Sequence, residues 1–259
     1  MSGDWQVLDG AIVERPREVG SYPLLSAVYD RHDRLIDRRA VEGRSLEVAF
    51  GTRPHPGADV GVEAFPENAR DADGIAAAAA DARDLPFDAD SFSTVVGRRF
   101  LHHVPAADRR AILREARRVL ESDGRLILLE GTPGAYRRLT KGLAFRLGVL
   151  GDDNDEYGHL SADRIRALLD ETGFEIEETR PLGSPLMPCS AFRSSPVERL
   201  IDLVERTQWV RWWTLAVARP ETVGGSEARD GGSESERTPA VQGTAAAPAT
   251  DSARNSTDK

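Results

Sequence analysis

Apolar residues recur along the chain with two spacings that alternate from residue 45 onward. Short runs typical of β-strands lie at 45–50, 58–63, 76–80, 92–97, 125–130, 174–179 and 213–219. Helical spacing is clearest in three segments: 105–120, the stretch between Ser161 and Gly173, and 196–206. Pro105 is predicted to open the first of them. This alternation predicts an α/β fold with a Rossmann-like, mostly parallel seven-stranded sheet that carries helices on both faces.

The two ends of the chain differ from this central pattern. Residues 1–44 contain apolar positions at 24, 25, 28, 35 and 36, which suit one or two amphipathic helices and predict an N-terminal helical cap. Residues 221–259 hold no aromatic residue and no Leu, Ile or Met, so we expect a disordered acidic tail. The domain that carries the function is therefore predicted to span residues 45–220.

The charge balance is unusual in kind as well as in sign. The 259 residues carry a formal net charge of −9, and Lys141 and Lys259 are the only lysines among 34 basic residues. Acidic, lysine-poor surfaces resemble those of extremely halophilic archaea, because near-molar salt shortens the Debye length to ~3 Å and screens self-repulsion. A GC-rich genome that favours Arg codons is the alternative. The negative charge argues against non-specific binding of nucleic acid.

Other compositional signals narrow the class of protein further. No apolar run approaches the ~20 residues needed to cross a bilayer, and the first residues lack a signal-peptide pattern, so we expect a cytoplasmic protein without membrane insertion. Cys189 is the only cysteine, which excludes internal disulfides and cysteine-based metal clusters. The acidic segment 152–156 lacks the spacing of a calcium loop. No metal site is predicted.

Three motifs in the central region resemble the class I S-adenosylmethionine-dependent methyltransferases, in particular their small-molecule, type 11-like branch. They are Asp81-x-x-x-Leu85-Pro86-Phe87, then Leu101-His102-His103, then Arg118-Val119-Leu120-x-x-x-Gly124-Arg125-Leu126. The resemblance implies S-adenosylmethionine as cofactor and a small molecule as methyl acceptor. It also implies a binding crevice beyond the carboxyl ends of the strands, where open α/β sheets hold their ligands.

The glycine turn of this family departs from its usual form here. The family has an acidic residue followed by Gly-x-Gly-x-Gly, and this chain reads Glu47-Val48-Ala49-Phe50-Gly51-Thr52-Arg53. Gly51 keeps the middle glycine, whereas Ala49 and Arg53 replace the other two. The prolines of Pro54-His55-Pro56 make a full helix after this turn implausible, and some methyltransferase branches carry a similar Gly-x-Arg-Pro-x-x-x-Gly loop.

The remaining cofactor residues follow from the same resemblance. Glu63, at the end of the second predicted strand, would accept hydrogen bonds from the ribose diol. Asp81 and the amide of Ala82 would contact adenine, while Gly97 and Arg98 would line the pocket near the methionine end. With Glu47, Ala49 and Gly51, these residues form the predicted cofactor site.

Catalytic residues and the acceptor are less determined. His102 and His159 are candidates for a general base or a substrate contact, and His103 is assigned to packing beside the cofactor. Tyr136, Phe145 and Leu147 suggest an apolar lid that suits a quinone-like, lipid-like or aromatic acceptor. A non-catalytic relative that binds a nucleotide-like ligand or a partner is the main alternative, and a nicotinamide-dependent oxidoreductase is a weaker one. The oligomeric state stays open.

Overall fold

The computed structural model describes residues 5–8, 11–14, 23–146, 159–207 and 211–221. Seven strands form one sheet in the order β5-β4-β3-β6-β7-β9-β8, and a separate hairpin pairs β1 with β2. The strands are β1 (Trp5–Leu8), β2 (Ala11–Glu14), β3 (Ser45–Val48), β4 (Val60–Glu63), β5 (Ala76–Ala79), β6 (Phe92–Arg98), β7 (Leu120–Gly131), β8 (Phe174–Leu182) and β9 (Trp213–Pro220).

Six α-helices are described, and they are α1 (Pro23–Asp37), α2 (Pro66–Asp71), α3 (Arg109–Val119), α4 (Ala135–Arg146), α5 (Ala162–Glu171) and α6 (Ser195–Glu205). Two 3-10 turns lie at Leu101–His103 and Met187–Phe192. Ser161 caps α5 by accepting the amide of Arg164, and Gly173 follows the helix with a φ of +79°. Both ends of α5 therefore match the predicted signals.

The sheet is parallel from β5 through β7, and β9 enters antiparallel to both of its neighbours. Successive strand residues alternate between two buried apolar clusters: Val95 and Leu128 pack on one face, whereas Val96 and Ile127 pack on the other. A strand that buries both faces favours an uninterrupted apolar run, which in β7 is Leu126–Leu129. The predicted Rossmann-like sheet with helices on both faces is confirmed.

Several boundaries differ from the sequence-based expectations. Pro105 starts a turn rather than a helix, since the amide of Asp108 bonds the Pro105 carbonyl and α3 begins at Arg109. β7 extends back to Leu120, whereas the strand was predicted to begin at residue 125, so Gly124 lies within the strand. The hairpin β1–β2 and the short helix α2 were not predicted. The predicted tail at 221–259 lies outside the described residues except for Glu221.

Among the described residues, no helix is long and apolar enough to span a membrane. No group of three or more potential metal ligands occurs in the same part of the chain. The N-terminal cap was expected to be helical, and within it α1 packs across the face of the sheet that carries Trp213 and Leu215. This packing places α1 over the carboxyl edge, where the predicted site residues lie.

Candidate active site

Residues 49–59, which connect β3 to β4, contain no helix, as the two prolines predicted. The chain turns instead through two left-handed residues, Ala49 with φ +55° and Gly51 with φ +66°. A non-glycine residue pays about 1–2 kcal/mol for this conformation. Ala49 therefore keeps the backbone path of a glycine turn although it carries a methyl group.

Glu63 ends β4 and connects directly to this turn. Its carboxylate is buried and accepts the amide of Gly51 at 2.8 Å and that of Phe65 at 3.2 Å. Burial raises the pKa of Glu63, and the amides of Gly51, Phe65 and Ala64 offset only part of that effect. Two oxygens hold up to four acceptor positions, so the carboxylate has capacity left for further hydrogen bonds from a diol.

Glu47 and Arg98, both predicted to contact the cofactor, are instead engaged with each other. Arg98 donates from Nε to Glu47 at 2.5 Å, from Nη1 to Asp33 at 2.7 Å and from Nη2 to the Arg53 carbonyl at 2.7 Å. Glu47 also accepts the amide of His55 at 2.5 Å. Arg98 does meet carboxylates, but they belong to the protein itself. Its predicted place near a bound methionine stays a prediction.

An acidic stripe on α1 anchors the loop that replaces the helix. Asp33 pairs with Arg53 at 2.8 Å as well as with Arg98, and Asp37 contacts the His55 ring at 3.0 Å. Burial opposes ionisation of Asp33, but hydrogen bonds from His55 and the two arginines bring the pKa of Asp33 well below its ordinary value. These ion pairs hold the loop in place without a helix.

Asp81 follows β5, as predicted, and is only partly buried. Arg83 binds its carboxylate at 2.6 Å and also donates its amide at 2.8 Å. Burial opposes ionisation, but these hydrogen bonds from Arg83 lower the pKa of Asp81. An adenine amino group would therefore share this carboxylate with Arg83. The next residue, Ala82, packs against the apolar core.

Gly97 lies in β6 for a reason that the sequence could not reveal. A Cβ at this position would stand 2.6 Å from the Phe100 ring and 2.9 Å from Leu128. Both distances are shorter than side chains tolerate, so the absence of a side chain serves packing within the protein. The predicted contribution of Gly97 to a cofactor pocket is untested.

The structure brings the two catalytic candidates together, although 57 positions separate them. The rings of His102 and His159 lie 5.2 Å apart, and His103 lies 4.0 Å from His102. Burial, followed by the neighbouring His102, lowers the pKa of His103 to about 4. His103 is therefore neutral at physiological pH, which suits the packing role expected for it.

Glu130, which sequence reasoning gave no role, organises this histidine cluster. It is completely buried and accepts the amides of Phe100 and Leu101 at 3.0 and 2.9 Å, while its other oxygen lies 2.9 Å from Nδ1 of His102. Burial opposes ionisation, but His102 and the two amides together lower the pKa of Glu130. Its place directly after the apolar run Leu126–Leu129 was the available signal.

A cleft of about 650 Å³ lies elsewhere, between α1, α6 and the loop after β3. Charged residues of both signs line it, among them Asp30, Arg34, Asp37, Glu198 and Asp202. Arg34 and Glu198 pair across it at 2.8 Å. None of the predicted cofactor residues lines this cleft, so we place the site at the strand ends.

Part of the sequence is similar to known methyltransferases. Residues 57–128 match the family model described as a methyltransferase domain. The demethylmenaquinone methyltransferase of Thermotoga maritima is 34% identical over 113 residues, which is 37% of this chain and 48% of that protein. The chain thus spans about half the length of this curated relative.

Solved structures share the fold at low sequence identity. A protein of Thermotoga maritima described as a possible histamine N-methyltransferase aligns with a TM-score of 0.54 and 18% identity, over 78% of this chain and 92% of that one. The geranyl diphosphate C-methyltransferase of Streptomyces coelicolor, solved with S-adenosyl-L-homocysteine, aligns with a TM-score of 0.52 and 12% identity, over 74% and 80%. The sheet has the class I methyltransferase fold.

Proposed function

We propose that this protein is an S-adenosylmethionine-dependent methyltransferase that acts on a small molecule. The observation that carries the proposal is the buried carboxylate of Glu63 at the end of β4, bonded at 2.8 Å to the amide of Gly51 in the turn after β3. This hydrogen bond places a carboxylate that can accept from a ribose diol next to a turn with little side-chain bulk. Glu63 lies within the segment, residues 57–128, that matches a methyltransferase domain.

The residues present fit the cofactor at its sugar and base. When bound, S-adenosylmethionine supplies a methyl group activated by its positively charged sulfur. Glu63 would accept hydrogen bonds from the ribose hydroxyls, and Asp81 would accept from the adenine amino group. Glu47 and Arg98 would act indirectly, because they bind each other and the loop after β3 and so hold that loop in position. The lost helix removes one source of amide donors, and Ala49 preserves the turn itself.

His102 is the residue that we assign to proton transfer. Its Nδ1 faces Glu130, which fixes the ring and favours a proton on that nitrogen, so that Nε2 keeps its lone pair. A base oriented by a buried carboxylate can take a proton from an acceptor hydroxyl, amine or acidic carbon. We expect Glu130→Gln to impair this step without moving the cofactor, because Glu130 lies in β7, which β3 and β6 separate from β4.

The acceptor is proposed to have an apolar or aromatic body. The partial match to a demethylmenaquinone methyltransferase supports a quinone-like molecule. Tyr136, Phe145 and Leu147, from which a lipid-like or aromatic acceptor was also expected, lie where no side chain is described. A cytoplasmic location and adaptation to high salt belong to the same proposal, supported by the acidic, lysine-poor composition.

Isothermal titration with S-adenosylhomocysteine in molar KCl tests the function. We expect binding by the native protein, and a loss of about 1–3 kcal/mol in Glu63→Gln through one weakened charged hydrogen bond. Glu42→Ala is the matched control, because Glu42 is exposed and precedes β3, whereas the turn follows the other end of that strand. Absence of heat with the native protein would refute the proposal. Binding without turnover of any acceptor would favour the non-catalytic alternative, which the replaced glycine at Ala49 motivates.

A further inference from the structure

Two adjacent arginines at the end of β6 have opposite surroundings. Arg98 donates hydrogen bonds from all three nitrogens of its guanidinium, to Glu47, Asp33 and the Arg53 carbonyl. Arg99 lies over the ring of Tyr29, with Cζ 3.8 Å from its centroid, and its buried Nη1 has no hydrogen-bond partner among the described residues. No described carboxylate forms an ion pair with it. Burial lowers the pKa of Arg99, and the opposing effects of Tyr29 and Asp33 offset only part of that change.

His32 is a second buried group without a partner, and it faces the same tyrosine. Its side chain is 1% exposed, and neither ring nitrogen forms a hydrogen bond with a described residue. The ring lies 6.3 Å from Tyr29 and 5.1 Å from Trp213. Burial, and then the charge of Arg99, lower the pKa of His32 well below its ordinary value. Its neutral ring can therefore donate one hydrogen bond to a ligand.

The backbone at Arg99 is also in an uncommon conformation. Its φ is +53°, in the left-handed region that non-glycine residues rarely adopt. The turn is held because Glu130 binds the next two amides, those of Phe100 and Leu101. Strain that is enforced by surrounding hydrogen bonds is typical of functional positions. Here it accompanies a guanidinium that lies over Tyr29 and forms no ion pair with a described carboxylate.

The position of Arg99 along the crevice indicates which ligand it faces. The sheet order runs β5, β4, β3, β6, with Asp81 after β5 and Glu63 after β4. A cofactor held with its base at β5 and its sugar at β4 would have its reactive sulfur toward β3 and β6. Arg99 follows β6, on the far side of β3 from Glu63. This strand end was predicted to lie near the methionine end of the cofactor, and a group there would stand close to the sulfur, where the acceptor must also approach.

Resting on the methyltransferase function proposed above, we propose that Arg99 and His32 bind an oxyanion on the acceptor, a carboxylate or a phosphate joined to an aromatic or apolar body. Buried polar atoms are ordinarily paired, and an oxyanion would pair both Nη1 of Arg99 and a ring nitrogen of His32. The rings of Tyr29 and Trp213 supply the wall for the body of the molecule. This assigns charge selectivity to a site where the sequence suggested only apolar contacts.

Thermal unfolding with and without ligands tests the site. The probes are benzoate, its neutral counterpart benzamide, and inorganic phosphate, each in the same chloride buffer. We expect benzoate or phosphate to raise the unfolding midpoint of the native protein more than benzamide does, and Arg99→Met to lose about tenfold or more in affinity for the anion. The better of the two anions identifies the acceptor group as carboxylate or phosphate. Equal shifts with benzoate and benzamide, or no shift with either anion, would overturn the proposal.

Two matched variants separate a binding role from a structural one. Arg99→Met removes a cation that forms no ion pair with a described carboxylate and should raise the midpoint of the ligand-free protein. Arg98→Met strands Glu47 and Asp33 and should lower it, although the change is the same at the neighbouring position. If Arg99→Met also lowers the midpoint and still responds to anions, Arg99 is structural and the proposal fails.

Titration with S-adenosylhomocysteine distinguishes this proposal from the function on which it rests. We expect Arg99→Met to bind that ligand as tightly as the native protein does. Weaker binding would mean that Arg99 holds the carboxylate of the cofactor, which overturns the assignment to the acceptor. A native protein that responds to benzoate but does not bind S-adenosylhomocysteine would retain the anion site and refute the methyltransferase function.

Discussion

Arg31 on α1 is buried against three carboxylates of α6, and its removal should be the most destabilising single change on this face. It donates to Glu198 at 3.0 Å, to Asp202 at 2.7 Å and to both oxygens of Glu205 at 3.2 and 2.8 Å. Arg31 and Glu205 are each 1% exposed, whereas the other two carboxylates are partly open to water. The cost of losing Arg31 therefore concentrates on Glu205.

The magnitude follows from what remains around Glu205 in Arg31→Met. Of the described residues, Arg180 at 3.3 Å and the amide of Gly183 at 3.2 Å would still donate to its carboxylate. Leaving a buried charge without its partner costs about 3–5 kcal/mol, which is a large part of the 5–15 kcal/mol that stabilises an ordinary domain. The double variant Arg31→Met with Glu205→Gln should recover part of that loss, because no unpaired charge is then buried.

Urea unfolding at several KCl concentrations measures both size and mechanism. Arg219→Met is the matched control, since Arg219 pairs with Glu175 at 2.7 Å while both side chains are about half exposed. We expect the control to cost less than about 1 kcal/mol, with that cost fading in salt. The cost of Arg31→Met should persist in molar KCl. Equal costs for the two variants, or a salt-sensitive cost for Arg31→Met, would contradict the reasoning.

Three further outcomes are expected. Acid should destabilise the protein as pH falls from about 6.5 to 4, because His32 and His103 stay neutral when folded and take up protons when unfolded; urea midpoints that stay constant over that range would contradict this. Gly97→Ala should cost about 1–3 kcal/mol through contact with Phe100, measured by thermal unfolding. Asp81→Ala should weaken S-adenosylhomocysteine binding about tenfold by calorimetry, and unchanged affinity would show that adenine lies elsewhere.

The sequence contained enough information to predict the sheet, because its strands are local. Each strand has its own apolar run, and both faces of β6 and β7 are buried, so that no distant partner is needed to recognise them. The residues at which helices and strands begin and end were harder to predict. Pro105 is a good first helical residue by type, yet the turn that it starts ends at Asp108 before α3 begins, since tertiary packing decides where the helix starts.

The partners of the site's charged residues could not be found by local reasoning. Arg98 lies 51 positions from Glu47 and 65 from Asp33, so nothing near it in the sequence reveals that its guanidinium is already paired. Glu63, predicted from a carboxylate after an apolar strand, does end β4 beside the turn after β3, and its contact with a cofactor stays a prediction. The same rule applied to Glu130 would have found the partner of His102, because Glu130 also follows an apolar run.

The loss of the helix after β3 and the acidic stripe on α1 are best understood together. A helix at that position would have held itself by its own backbone hydrogen bonds, whereas residues 53–57 depend on Asp33, Asp37 and Glu47 for their position. The loop and α1 are thereby coupled, because Asp33 binds both Arg53 and Arg98. Asp33→Asn should then weaken binding of S-adenosylhomocysteine although Asp33 is not expected to contact that ligand, because the substitution loosens the loop that follows Gly51. Unchanged affinity in Asp33→Asn, measured by calorimetry alongside Glu42→Ala, would mean that the turn positions itself and that the stripe serves stability alone.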